Sequence, residues 1–154
     1  MANSASKSQT ATPNEAPGRA GSAGQTATPL GLPPLFRVEM DVKDCEFQGK
    51  VPDGLNGTFY RVGPDAQYAN RQGNIFFDGE GHVSMFRIRN GRVDFKSRYV
   101  RNERYVAQEQ AGKILFPMYR NPYLDDPTVK GKSRGTHNTH IIHHNGMLLA
   151  LKED

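Results

Sequence analysis

The stretch HVSMFRIRNGRVDFKSRY, residues 82–99, decides the fold. At its centre Asn90-Gly91 separates two runs in which apolar and polar residues alternate. Asn-Gly tolerates the positive φ angles of a type I′ turn, the two-residue turn whose twist matches that of a hairpin. A two-residue loop also fixes register. Arg89 is therefore expected opposite Arg92, Ile88 opposite Val93, Phe86 opposite Phe95, Ser84 opposite Ser97 and His82 opposite Tyr99. Side chains alternate across a strand, so Ile88, Val93, Phe86, Phe95, His82 and Tyr99 share one face, the expected core. Arg87, Asp94, Lys96 and Arg98 share the other, expected to be wet. His82 is expected to pair with Tyr99 or a loop carbonyl.

A second Asn-Gly pair, Asn145-Gly146, predicts another hairpin by the same rule. It sets His144 opposite Met147, His143 opposite Leu148, Ile142 opposite Leu149, Ile141 opposite Ala150 and His140 opposite Leu151. Both faces of this hairpin are largely apolar, the pattern of strands buried on two sides. Between the hairpins, Pro117, Pro122 and Pro127 punctuate a long loop of the kind that usually carries function. A short helical turn is predicted over Val106 to Lys113.

Outward from the hairpins the composition changes. Residues 1–34 are almost wholly Ala, Ser, Thr, Gly, Pro, Asn and Gln, too poor in apolar groups to offset the entropy of ordering. They are predicted to be a disordered tail, with the short apolar run at 30–36 docking on the folded part. Residues 35–154 are predicted to be all-β. The chain stops at LALKED without a closing element, and two hairpins leave sheet edges that a stable β-protein must cover. The expectation is the N-terminal piece of a longer fold.

The 154 residues carry a net charge of +4, from 20 Lys and Arg against 16 Asp and Glu. Basic residues are spread among acidic and apolar ones rather than massed, which argues against nucleic acid as a partner. Cys45 is the single cysteine, so no internal disulfide forms and an intracellular, cytoplasmic protein is expected. No apolar run approaches the ~20 residues of a membrane span, and the N-terminus lacks the apolar core of a secretory signal.

HNTHIIHHNG, residues 137–146, holds four of the five histidines and invites a metal-site reading. Strand geometry opposes it. His140 and His144 fall on one face about 13 Å apart along the strand, and His143 points to the other. Metal ligands must instead converge on one point, with imidazole nitrogens about 2.0–2.1 Å from the ion. A small non-enzymatic, histidine-rich metal-binding β-module is the alternative from another functional class.

Three ordered blocks carry a family resemblance. NGTFYRVGPD (56–65), FFDGEGHVSMFRIRNGRVDFKSRYVRN (76–102) and YRNPYLDDPTVKGKSRGTHNTHIIHHNGMLLALKED (119–154) resemble the carotenoid oxygenases, also called carotenoid cleavage dioxygenases. The resemblance is nearest to the lignostilbene and stilbene-cleaving branch. It implies the N-terminal part of a seven-bladed β-propeller whose Fe(II), held by four histidines, activates O2 for cleavage of an alkene into two carbonyl products. By that resemblance the iron ligands lie beyond residue 154, none of the five histidines here is a ligand, and this chain alone is inactive. His144 falls at a structural histidine of the family, while His137 and His140 depart from its usual Ala and Asn. The partners implied are O2 and a hydrophobic alkene, a phenolic stilbene or, as the runner-up, a carotenoid or apocarotenoid. The positions resembling the stilbene branch's substrate contacts are Phe59, Tyr99 and Lys130, with Lys132 the alternative lysine. A Lys ammonium and a Tyr hydroxyl stabilise phenolate character at the 4-position of such a substrate.

Overall fold

The structure is a computed structural model that describes residues 37–69 and 75–153. The 1–34 tail and the 30–36 docking run lie outside the described residues. Six strands are described: β1 (Met40–Val42), β2 (Gly57–Asp65), β3 (Glu80–Arg89), β4 (Arg92–Tyr99), β5 (His140–His144) and β6 (Met147–Leu151). One helix, α1 (Glu103–Ala111), follows β4.

The first four strands form an antiparallel sheet in the order β1-β4-β3-β2, and β5 and β6 pair as a separate hairpin. Both registers read from the Asn-Gly turns are the ones observed, from Arg89 opposite Arg92 to His82 opposite Tyr99, and from His144 opposite Met147 to His140 opposite Leu151. The turn residues take the left-handed conformations that the type requires, with φ of 52° and 73° at Asn90 and Gly91 and of 46° and 75° at Asn145 and Gly146.

Burial departs from the expected face-by-face division. Along the predicted core face, Ser97 and Tyr99 are buried, but Phe86 at the turn end is exposed, and Phe59 opposite it is 60% exposed. On the predicted wet face, Val83 and Met85 line an apolar cleft of about 620 Å³ shared with Tyr60, Ile141, Leu148 and Ala150 of β2 and the second hairpin. Burial therefore grades along the strands, because the covering layer sits at the end of the sheet. There Leu115, Phe116 and Val129 form a small core with Ala107 of α1 packed against it.

The second hairpin is corrected in the same way. It is not buried on both sides: Ile141 and its partner Ala150 are half-buried, and Ile142, Met147, Leu148, Leu149 and Leu151 are exposed. Among the described residues it pairs with no further strand, so its apolar faces lack the layers that would cover them.

The helix begins three residues earlier than the predicted Val106 and stops at Ala111. Asn102 caps it, its side chain accepting the Tyr105 N–H at 2.8 Å, and Gly112 ends it in the left-handed conformation at φ 65°. The loop beyond contains two short 3-10 turns, Pro122–Leu124 and Pro127–Val129, each opened by an Asn or Asp that accepts a backbone N–H.

Candidate substrate-contact site and the buried cluster behind it

The motif Phe77-Asp78-Gly79-Glu80-Gly81 sits where β3 starts, at the covered end of the sheet. Its glycines are close-approach positions. A Cβ on Gly79 would run into the Asp65 and Ala66 backbone, and one on Gly81 into the carbonyl of His137. Gly81 N–H donates to Thr136 O at 2.7 Å, which ties the strand to the segment ahead of β5. Between the glycines, Glu80 is turned inward and is 3% exposed.

A buried carboxylate needs compensation. Glu80 Oε1 accepts from Arg104 Nε at 2.9 Å and from Gln108 Nε2 at 2.7 Å, while Oε2 accepts the Gln67 N–H at 2.8 Å. Arg104 and Gln108 are four apart on α1, so they share one helix face. The remaining guanidinium hydrogens go to carbonyls of Asp78 (3.0 Å), Arg134 (3.3 Å) and Phe116 (3.4 Å). Burial pushes the Asp78 carboxyl above its ordinary range. None of Asp65, Asp78, Glu80, Arg104 and Gln108 was a candidate on sequence grounds. The available signal was an acidic residue between two glycines, followed by polar residues at helical spacing.

Tyr99 ends β4 beside this cluster. Its ring lies edge-on to His82 at 4.7 Å between centroids and against Tyr105 at 5.1 Å. His82 also places Nε2 3.2 Å from Val38 O, so it meets both of its expected partners, the tyrosine and a loop carbonyl. Tyr99 Oη and Asp65 Oδ1 are sealed, and neither completes a hydrogen bond among the described residues. Burial and the nearby Asp65 carboxylate push the Tyr99 pKa well above the ordinary tyrosine value, so the hydroxyl stays protonated.

Lys130 stands exposed immediately after the second 3-10 turn, its backbone N–H reaching Pro127 O. Its ammonium has no carboxylate partner among the described residues, whereas Lys132 Nζ is 3.6 Å from Glu103 Oε1 and Lys113 Nζ is 2.8 Å from Asp126 Oδ2. Tyr99 leads towards α1 at the covered end of the sheet, and Lys130 follows Val129, a member of the small core. Phe59 stands apart from Tyr99. It lies opposite Phe86, four positions along β2 from Gly63, the residue level with His82 and Tyr99. That spacing is about 13 Å along the strand.

The remaining histidines do not converge. His140, His143 and His144 are exposed on alternating sides of β5, and His137 Nδ1 accepts from Asn102 Nδ2 at 2.7 Å. Among the described residues no group of three His, Cys, Asp or Glu side chains is placed to hold a metal ion. The residues present therefore do not fit the iron that the sequence resemblance implies. Also among the described residues, no helix is long and apolar enough to cross a membrane.

Residues 35–154 match the family model of RPE65, the retinal pigment epithelial membrane protein. The chain belongs to this carotenoid oxygenase family. It is 48% identical over 124 residues to lignostilbene-alpha,beta-dioxygenase isozyme III of Sphingomonas paucimobilis, covering 80% of this chain and 25% of that protein. To the isoeugenol monooxygenase of Pseudomonas nitroreducens it is 48% identical over 118 residues, covering 77% of this chain and 25% of that protein. The crystal structure of the Pseudomonas brassicacearum lignostilbene dioxygenase superposes with a TM-score of 0.72 at 45% identity, over 78% of this chain and 25% of that one. The chain thus spans about a quarter of the length of the curated relatives it matches. Its two sheets are the corresponding portion of the carotenoid oxygenase β-propeller, a fold in which radially arranged sheets bury strands against neighbouring blades.

Proposed function

We propose that the protein to which this chain contributes is an Fe(II)-dependent, cytoplasmic dioxygenase that cleaves the central alkene of a phenolic stilbene. One oxygen atom of O2 ends on each alkene carbon, giving two carbonyl products. Iron supplies the oxygen activation when bound, and this chain's own histidines do not hold it. The observation that carries the phenolic reading is Lys130, an exposed cation left without a carboxylate partner among the described residues while Lys113 and Lys132 have theirs. Two of the matched relatives are named for lignostilbene and isoeugenol, both phenols conjugated to an alkene.

In this reading Lys130 receives the 4-oxygen of the substrate and stabilises its phenolate character, which raises electron density on the conjugated alkene. Tyr99 is the second contact in this reading, a neutral hydroxyl held protonated by its burial and by Asp65. Its sealed Oη must become accessible for it to meet the same oxygen. Phe59, further along the same sheet face, meets the part of the substrate distant from the phenol. A long polyene offers no phenol for such a lysine, which separates this reading from a carotenoid or apocarotenoid substrate.

The test is turnover of trans-4-hydroxystilbene by the iron-loaded full-length protein and its Lys130→Met variant. A lost charge-assisted hydrogen bond, about 1.5–3 kcal/mol, predicts a kcat/KM lower by roughly 10- to 100-fold. Unchanged turnover in the variant removes the phenol-binding role. Absence of aldehyde products from the parent protein overturns the function itself.

A further inference from the structure

Lys130 stands in a loop that a continuous chain of hydrogen bonds ties to the interior of the molecule. Gln108 on α1 is 1% exposed and among the most deeply buried side chains described. Its amide faces two ways. Nε2 donates to Glu80 Oε1 at 2.7 Å, which fixes the amide to the start of β3. Oε1 accepts the N–H groups of Leu115 and Phe116 at 3.1 and 3.4 Å, which fixes the loop to the helix. Leu115 O in turn accepts the Asp126 N–H at 2.9 Å.

Asp126 then opens the 3-10 turn Pro127–Val129, its Oδ1 accepting from Thr128 N (3.1 Å) and Thr128 Oγ1 (2.7 Å). The turn ends at Lys130, and the side chain of Val129 closes the path by packing on Leu115 and Phe116. No other side chain among the described residues bonds both Glu80 and the Leu115 and Phe116 N–H groups. Arg104 reaches Glu80 and Phe116 O, but it leaves the two N–H donors untouched.

We propose that Gln108, anchored on Glu80, is the positioning residue that sets where Lys130 meets a substrate's phenol. The inference rests on the reading of Lys130 given above. Gln108 touches no substrate. It acts through the 115–116 backbone, Asp126 and the turn, and so governs specificity for a 4-hydroxyl rather than the capacity to bind a stilbene skeleton. Removing the amide frees two backbone N–H groups and lets the loop move, and a shift of about 1 Å at a positioned group costs up to about a hundredfold.

The experiment compares binding of trans-4-hydroxystilbene and trans-4-methoxystilbene to the full-length protein by fluorescence titration. Parent, Lys130→Met and Gln108→Met are measured, with the unfolding midpoint of each recorded. The expected result is that Gln108→Met lowers the hydroxy-over-methoxy preference about tenfold, towards that of Lys130→Met, while the methoxy Kd stays near the parent value. Gln108→Glu is expected to restore the preference, since a protonated Glu presents the same donor to Glu80 and the same acceptor to the loop. A purely structural Gln108 lowers the unfolding midpoint and leaves the preference unchanged, which overturns the proposal. If Lys130→Met itself leaves the preference unchanged, the reading of Lys130 fails first and the proposal falls with it. Gln108→Asn keeps an amide but is one methylene too short to span both anchors, and it replaces Gln108→Met should that variant not fold. Failure of both to fold overturns the proposal, because the residue then serves the fold and not the position of one lysine.

Discussion

Glu80 Oε1 accepts the Nε–H of Arg104 at 2.9 Å, and both side chains are sealed from solvent. The pair joins the beginning of β3 to the first turn of α1, and its other partners are backbone groups and Gln108. A buried pair of this kind is sensitive to loss of one member, because the survivor keeps its charge in a medium that solvates it poorly.

Arg104→Met is therefore expected to destabilise the protein by about 3–5 kcal/mol in urea unfolding. The double variant Glu80→Leu with Arg104→Met should lose less than the sum of the two single losses, since no orphaned charge remains. Additive losses would show that the two groups act independently.

Gly81 has no room for a side chain. The methyl of Gly81→Ala meets the His137 carbonyl, which is fixed backbone and not the movable end of a side chain. The expected cost is about 1–3 kcal/mol, the usual range for overpacking. Gly146→Ala, at a turn position with open space around it, is the control: its cost is conformational alone, about 1–2 kcal/mol. Hydrogen exchange distinguishes them, because Gly81→Ala should lower protection at the covered end of β3 and Gly146→Ala only in the second hairpin.

The turn between β3 and β4 makes a separate prediction. Gly91 holds φ at 73°, and an L-residue there costs about 1–2 kcal/mol. Gly91→Val, β-branched, should cost more than Gly91→Asn, which tolerates the left-handed region. Equal unfolding midpoints for the two would show that the turn has changed type.

Asp126 predicts an acid dependence. The Lys113 ammonium and the Thr128 hydroxyl and N–H hold its carboxyl well below the usual carboxylate range. A folded-state pKa below the unfolded value, about 3.9, means that the stabilisation is fully present above that value and is lost as pH falls through the folded one. The difference in urea midpoint between the parent and Asp126→Asn should be largest near pH 7 and shrink below about pH 4. A difference that persists unchanged to pH 2 would assign Asp126 a role independent of its charge.

The sequence alone determined the two hairpins residue for residue. A two-residue Asn-Gly turn leaves one register, and a strand has a side-chain period of two, so the pairing and shared faces follow from local backbone geometry. Strand spacing also disperses His140, His143 and His144 of HNTHIIHHNG before any tertiary contact is considered. That Phe59 shares a face with Tyr99, four positions away along it, follows only from the pairing of β2 with β3.

Only the tertiary structure decided what is buried. Alternation says which residues share a face but not what covers it, and here the cover lies across the sheet's end. That is why Phe86 is exposed while Glu80, with its charge, is sealed beneath α1. The ion pair of Lys132 with Glu103 was equally out of reach of pattern reading, since the two stand far apart in the sequence. Such partnerships depend on where a capped helix and a proline-punctuated loop come to rest, and that is set by the close packing of Leu115, Phe116 and Val129 rather than by any local preference of the chain.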